Sequence, residues 1–276
     1  MKRGHSHLIN GSVPVFRRVR IDLAYDGTEY AGWQLQQNAP TVQGVVEDAL
    51  SRIVGGGRVP VRGAGRTDSG AHARGQVADV ALTTRLSDDE LQRALSQLLP
   101  ADVRPVRVLT VPESFHARHD AIDKTYRYGI DTSVAGDAWW RRYALFWPHA
   151  MDEGAIDAAL ALLPGTRDWS AFVGSSCTVD DRVRTITQAR RHAVRPDLTM
   201  FEFTADGFLT HMVRNIVGTL LEVGRGKTGP EAVTAILESL DRRRAGPTAP
   251  AHGLTLARIR YDESAGGASG DAPPVW

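Results

Sequence analysis

The stretch Gly63-Ala64-Gly65-Arg66-Thr67-Asp68-Ser69-Gly70-Ala71-His72-Ala73-Arg74-Gly75 carries the densest chemistry in the chain: one carboxylate, Asp68, set with Arg66 and His72 among four glycines. Glycine tolerates positive φ and lets another backbone come close, so such a loop can hold an aspartate where a large ligand arrives. A single carboxylate so placed can attack carbon, or take up a proton and return it. The same residues also suit a plain tight turn in which Asp68 bonds its own backbone. A phosphate-cradling loop is excluded: Gly65 to Gly70 has the spacing, but Ala71-His72 follows where Lys and then Ser or Thr are required. Gly226-Lys227-Thr228 follows a helical pattern and lacks the glycine upstream.

Local patterns predict the elements that must position this loop. Val19, Ile21 and Leu23 alternate with Arg20, Asp22 and Ala24, the period of a half-buried strand, and Asp26-Gly27 turns the chain. Thr41 caps a helix whose apolar face runs from Val42 to Ile53 and which ends at Gly55-Gly56-Gly57. Short strands are expected at Val59 to Arg62 and Gln76 to Leu82, then a helix opened by the Ser87/Glu90 capping box and stopped by Pro100. After a strand near Val106 to Val111 the scheme restarts, with a strand from Ala121 to Ile130, a helix from Asp152 to Leu163 and strands at Thr185 to Val194 and Leu198 to Thr204. Helices over Phe208 to Val223 and Pro230 to Leu240 precede a last strand at Leu256 to Tyr261. Tyr126 and Tyr128 share one face of their strand, which suits at least one of them to the core. In the helix after Phe208, Leu209, Met212, Val213, Ile216, Val217, Leu220 and Leu221 form the apolar stripe. Thr210, His211, Arg214 and Asn215 fall opposite, the pattern of a solvated helix face.

The expected fold is therefore α+β, with two similar halves, mostly antiparallel sheets flanked by helices, and a cleft between them. The boundary is placed near Pro112: residues 14–112 carry the aspartate loop and residues 113–263 complete the cleft. Residues 1–13 and 264–276 are expected to be a disordered extension and tail. At 276 residues, 42% hydrophobic and 24% charged, the composition is globular. With no apolar run near the length of a membrane helix, no signal-peptide core at the start and one cysteine, Cys177, a cytoplasmic protein is expected. The net charge is +1, yet of 33 basic residues only Lys2, Lys124 and Lys227 are lysine. Arginine is the preferred partner of phosphates and stacked bases. Two segments, one holding Arg17, Arg18 and Arg20 and one running from Arg182 to Arg195 with Arg190 and Arg191, contain no acid and could form a nucleic-acid footprint. A GC-rich coding sequence, which would also make Ala, Gly and Val abundant, accounts for the same composition equally well.

The loop Gly65-Arg66-Thr67-Asp68-Ser69-Gly70-Ala71-His72-Ala73 closely resembles the signature of the tRNA pseudouridine synthase A family. Further matches follow in order: Tyr25-Asp26-Gly27 with Gly32-Trp33-Gln34, Thr41-Val42-Gln43, Phe115-His116-Ala117-Arg118, Lys124-Thr125-Tyr126-Arg127-Tyr128, His211 to Gly218, and Ala249 to Leu254. They extend from about residue 18 to 262. Ser69, Ala71 and Thr210 depart from the usual wording without touching an expected catalytic group.

The resemblance implies two ferredoxin-like halves and isomerisation of uridine to pseudouridine in the tRNA anticodon stem-loop, at positions 38, 39 and 40. It implies that Asp68 is the catalytic aspartate, that Tyr126 stacks on the target uracil, and that Arg66 helps hold the RNA with the base flipped. It further implies that Arg214 pairs with Asp68 and that Leu254 walls the base pocket. No metal or organic cofactor is expected, and a homodimer is. His116 and His119 lack a third ligand at metal spacing, so packing or RNA contact is expected of them. Two other readings remain open on sequence: a tRNA-binding folding chaperone without catalysis, and a uridine isomerase acting on another RNA.

Overall fold

The computed structural model describes residues 13–263. The expected extension and tail lie outside the described residues, residue 13 apart. Strand β1 (Val15–Tyr25) lies antiparallel between β3 (His72–Thr84) and β4 (Val103–Val111), with helices α1 (Val42–Val54) and α2 (Asp88–Leu98) in the connections. The chain continues through β5 (Asp123–Asp131), β6 (Ala144–Phe146), α3 (Glu153–Ala161), β7 (Gly165–Asp168), β8 (Val183–Arg195) and β9 (Leu198–Ala205). Helices α4 (Met212–Gly224) and α5 (Ala232–Ser239) and strand β10 (Leu254–Arg260) close it. The α+β class and the predominance of antiparallel pairing are as the patterns require.

The helix boundaries follow local chemistry. The Thr41 hydroxyl accepts the Gly44 N–H, and Gly55 leaves α1 in the left-handed conformation. Ser87 and Glu90 form the reciprocal capping box of α2. Val19, Ile21 and Leu23 are fully buried in the core that also contains Val42, Val46 and Leu50 of α1 and Leu91 and Leu95 of α2.

The halves do not have separate sheets. One ten-stranded sheet runs β4-β1-β3-β10-β5-β9-β8-β7, with β2 (Arg62–Gly63) on β3 and β6 on β5. The last strand, β10, sits at the centre, parallel to β3 through Thr255/His72 and Leu256/Ala73 and antiparallel to β5. This pairing also corrects the expected strand limits. The anticipated Val59 to Arg62 strand shrinks to the two residues of β2, whereas β3 begins at His72 because β10 and Tyr25 supply partners there. Strands β6 and β7 were not anticipated; three and four residues long, they are fixed by neighbours remote in sequence.

Several arginines of the two acid-free basic segments are already paired with acids. Arg17 pairs with Asp88 at 2.7 Å and Arg18 with Asp79 at 2.7 Å, while Arg20 is fully buried against Asp22 and under the Tyr261 ring. Arg190 binds Glu202 and Arg191 binds Asp157 and Glu153. These acids lie on β3 and β9, on α2 and α3, and for Arg20 two residues along its own strand, so a charge count within each segment misses them.

Candidate active site

The aspartate loop crosses from β2 to β3 and is pinned by backbone on several sides. The Trp33 N–H donates to Thr67 O at 3.1 Å, Gly70 N–H to Tyr30 O at 3.2 Å, and the Gln76 amide to Gly65 O at 2.9 Å. Behind it the Tyr25 and Thr67 hydroxyls meet at 2.8 Å. Burial raises the Tyr25 pKa to about 12 against the hydrogen bonds from Thr67 and Gln76, so the phenol stays neutral. Gly32 allows the close approach: its φ is +91°, and a Cβ there would sit 2.6 Å from Thr67 O. Val42 and Gln43 N–H bond the carbonyls of Gly32 and Trp33, so the cap of α1 buttresses the segment that buttresses the loop.

Asp68 projects from this frame with its side chain 26% exposed. Arg214 Nη1 donates to Asp68 Oδ2 at 2.7 Å, and Arg214 Nε donates to Ala249 O at 2.7 Å. The guanidinium thus grips one carboxylate oxygen and one carbonyl, not both carboxylate oxygens. Asp68 Oδ1 has no protein partner among the described residues, and His211 Nε2 is 3.7 Å from Oδ2. Tyr126 lies under the loop, 6% exposed, with its hydroxyl 3.4 Å from Arg66 O and its ring edge-on to Phe208 at 5.1 Å. Burial, with Tyr25 and Asp68 nearby, raises its pKa, so this phenol is also neutral. Arg66 is exposed, and its guanidinium has no partner among the described residues. Leu254, 6% exposed, opens β10 opposite Tyr128, whose hydroxyl donates to Pro250 O at 2.8 Å. Asp68, Arg214, Tyr126 and the Arg66 backbone are thereby in one place, and the Ala249 to Leu254 segment supplies carbonyl sockets.

Three sequence readings change. His72 belongs to the strand, not to the exposed loop. It is 2% exposed, and its Nε2–H donates to Arg142 O at 2.7 Å and His252 O at 3.0 Å while Nδ1 accepts the Gly27 N–H at 3.0 Å. Burial lowers its pKa despite Asp26 at 3.2 Å, so His72 is a neutral tie between three segments. Helix α4 starts at Met212, not Phe208, because His211 takes φ +60°, where Gly174 N–H bonds Thr210 O. Asn215 does not share an exposed face with Arg214. It is fully buried, its amide donating to Phe172 O and its carbonyl oxygen accepting from Arg242 and Thr248. His116 and His119 stack edge-on at 4.1 Å, and His116 Nδ1 accepts the backbone N–H of Arg118.

A family profile described as tRNA pseudouridine synthase matches residues 23–120 and 159–262, which include Arg66, Asp68, Arg214 and Leu254. The chain belongs to the tRNA pseudouridine synthase family. It is 42% identical over 247 residues to the tRNA pseudouridine synthase A of Geobacillus kaustophilus, covering 90% of this chain and 95% of that one. The enzyme of the same name from Moorella thermoacetica is 44% identical over 245 residues, 88% of this chain and 99% of its own. That from Streptococcus sanguinis is 40% identical over 247 residues, 89% and 99% respectively. Membership makes the protein an isomerase of this class. Among the described residues no helix is long and apolar enough to cross a membrane.

Proposed function

We propose that the protein isomerises uridine to pseudouridine at positions 38, 39 and 40 of the tRNA anticodon stem-loop, with Asp68 as the catalytic residue. The observation that carries the reading is the contact of Arg214 Nη1 with Asp68 Oδ2, 2.7 Å long between residues 146 apart in sequence. It holds Oδ2 and leaves Oδ1 without a protein partner among the described residues, which supports a role for that oxygen toward the substrate. Asp68 then attacks C1′ or removes a proton from the ribose, the N1–C1′ bond breaks, and the uracil turns. C5 bonds to C1′, C5 loses its hydrogen, and N1 gains one, so the formula of the nucleotide is unchanged.

The base must leave its stack, at a cost of a few kcal/mol. Tyr126 receives it as a neutral aromatic surface, Leu254 closes the pocket, and Arg66 occupies the space it left or holds the strand beside it. In this reading the enzyme is a cytoplasmic homodimer that uses no metal or organic cofactor. Pseudouridine-specific mapping of tRNA incubated with the purified protein tests it. A new pseudouridine confined to the anticodon arm, and absent with Asp68→Asn, is expected. Modification of other RNAs only, or tight tRNA binding without any pseudouridine, would replace this reading with one of the two alternatives.

A further inference from the structure

Beside the aspartate loop, the charges of Arg118 and Arg184 act on Lys124, with Asp206 opposing them. Lys124 stands on β5 two residues before Tyr126, and its Nζ donates to Ala64 O at 2.8 Å. The same strand face therefore holds the loop at two carbonyls, Ala64 through Lys124 and Arg66 through Tyr126. Lys124 lies opposite Ala205 in the β5/β9 register, and Arg184 lies beside Gly207, where a Cβ would meet its Nε at 3.2 Å. Among the described residues the Arg184 guanidinium donates to the carbonyls of Asp181 and Val183. Arg118 is exposed on the turn before β5. Among the described residues neither Arg118 nor Arg184 is paired with a carboxylate. Arg17, Arg18, Arg190, Arg191 and Arg195 all are.

The arrangement works against the protein's own electrostatics. Burial and the repulsion of Arg118 and Arg184 lower the Lys124 ammonium to a pKa of about 8, with Asp206 the one charge drawing it the other way. A group of like charges at the rim of a cleft focuses an anion there, and the anion relieves the repulsion.

We propose that Lys124, Arg118 and Arg184 form a seat for one backbone phosphate of the RNA strand carrying the target uridine, next to the flipped nucleotide. The proposal rests on the reading of the protein as an RNA-uridine isomerase and extends it to a phosphate subsite. Arginine suits the outer positions because its planar fork meets phosphate oxygens in pairs. The lysine, tied to Ala64 O, couples an occupied seat to the loop that bears Asp68. Lys124 is in this sense a positioning residue.

The test is equilibrium binding of an anticodon stem-loop RNA across a salt series, with turnover measured separately. Arg118→Ala and Arg184→Ala are each expected to weaken binding about tenfold, the scale of one charge-assisted hydrogen bond. Each should also flatten the salt slope by about 0.7 to 0.9. Arg243→Ala, an exposed arginine already paired with Asp241, should do neither. A set of stem-loops carrying one neutral methylphosphonate each then locates the seat. At one linkage adjoining the target uridine, neutralisation should weaken the parent but add little to Arg118→Ala or Arg184→Ala. Unchanged slopes in both variants, or losses that add at every linkage, would overturn the seat. An absence of turnover by the parent would overturn the isomerase reading instead, and the binding data would still decide the seat.

Discussion

At Asp68, Oδ2 is held by Arg214 and Oδ1 has no protein partner among the described residues, so in the proposed reaction orientation and chemistry fall to different oxygens. Asp68→Asn keeps the shape and the reach but can neither attack nor accept a proton. Turnover should disappear while stem-loop affinity stays within a few-fold; single-turnover assays beside binding curves check this. Arg214 reaches Asp68 from the first turn of α4 while its Nε holds Ala249 O, so Arg214→Ala loosens the carboxylate and the segment leading to Leu254 together. Misplacing a reacting group by about 1 Å can cost on the order of a hundredfold in rate. That loss is expected in kcat, with KM little changed, and lysine at this position should restore only part of it because it cannot serve both acceptors in the same fixed fork. Equal loss in the lysine and alanine variants would mean that the charge itself contributes nothing.

The elements carry the residues into register, and here the limits of the sequence are physical. Thr41, Gly55 and the Ser87/Glu90 pair announce their helices because a cap is made within a few residues of itself. The Asp68 loop and Arg214 were legible from residue type and motif, although their 2.7 Å contact joins residues 146 apart. Asn215 was misread, since its helical position faces Arg242 and Thr248, partners that no periodicity reveals. Gly218, on α4, shows what that helix face must do: a Cβ there would overlap Pro247 O. Gly218→Ala should therefore destabilise by about 1 to 3 kcal/mol, the usual range for overpacking, although alanine is the better helix former. Urea unfolding measures it. Lower kcat at a temperature where the variant is folded would place part of the effect in the Ala249 anchor of Arg214. The Asp26 turn offers a test by pH. Burial alone would raise its pKa, but the hydrogen bonds from the Thr28 hydroxyl and N–H and the Tyr143 hydroxyl outweigh it and bring it down to about 2 from an ordinary 3.8. A depressed carboxylate stabilises the fold fully above its unfolded value and ceases to as pH falls through its folded one. Asp26→Asn should thus be less stable than the parent at pH 6, with the gap closing between pH 3.8 and about 2. A gap that persists unchanged at pH 2 would assign the loss to shape and not to charge.

Over the whole molecule, the central place of β10 and the fate of the arginines follow from the same cause. A single sheet brings residues 254–260 between β3 and β5, so β10 joins the strands of the two halves. That sheet also sets acids from distant strands against arginines that look unopposed in sequence. Arg18 and Arg62 share the fully buried Asp79, and Arg127 and Arg190 share Glu202. A guanidinium already paired with a carboxylate has little charge left to offer a phosphate, whereas removing it strands a buried acid. Arg18→Ala and Arg190→Ala are therefore expected to lower the thermal midpoint. Because Arg62 and Arg127 remain, the cost should fall below the roughly 3 to 5 kcal/mol of a wholly orphaned buried charge. The salt slope of RNA binding should stay that of the parent, since no condensed counterion is released at a position the RNA does not neutralise. Thermal unfolding and salt-dependent binding of the same two variants separate the outcomes. A flattened slope with undiminished stability would show that these arginines leave their carboxylates for RNA, and that the sheet's ion pairs are exchanged on binding.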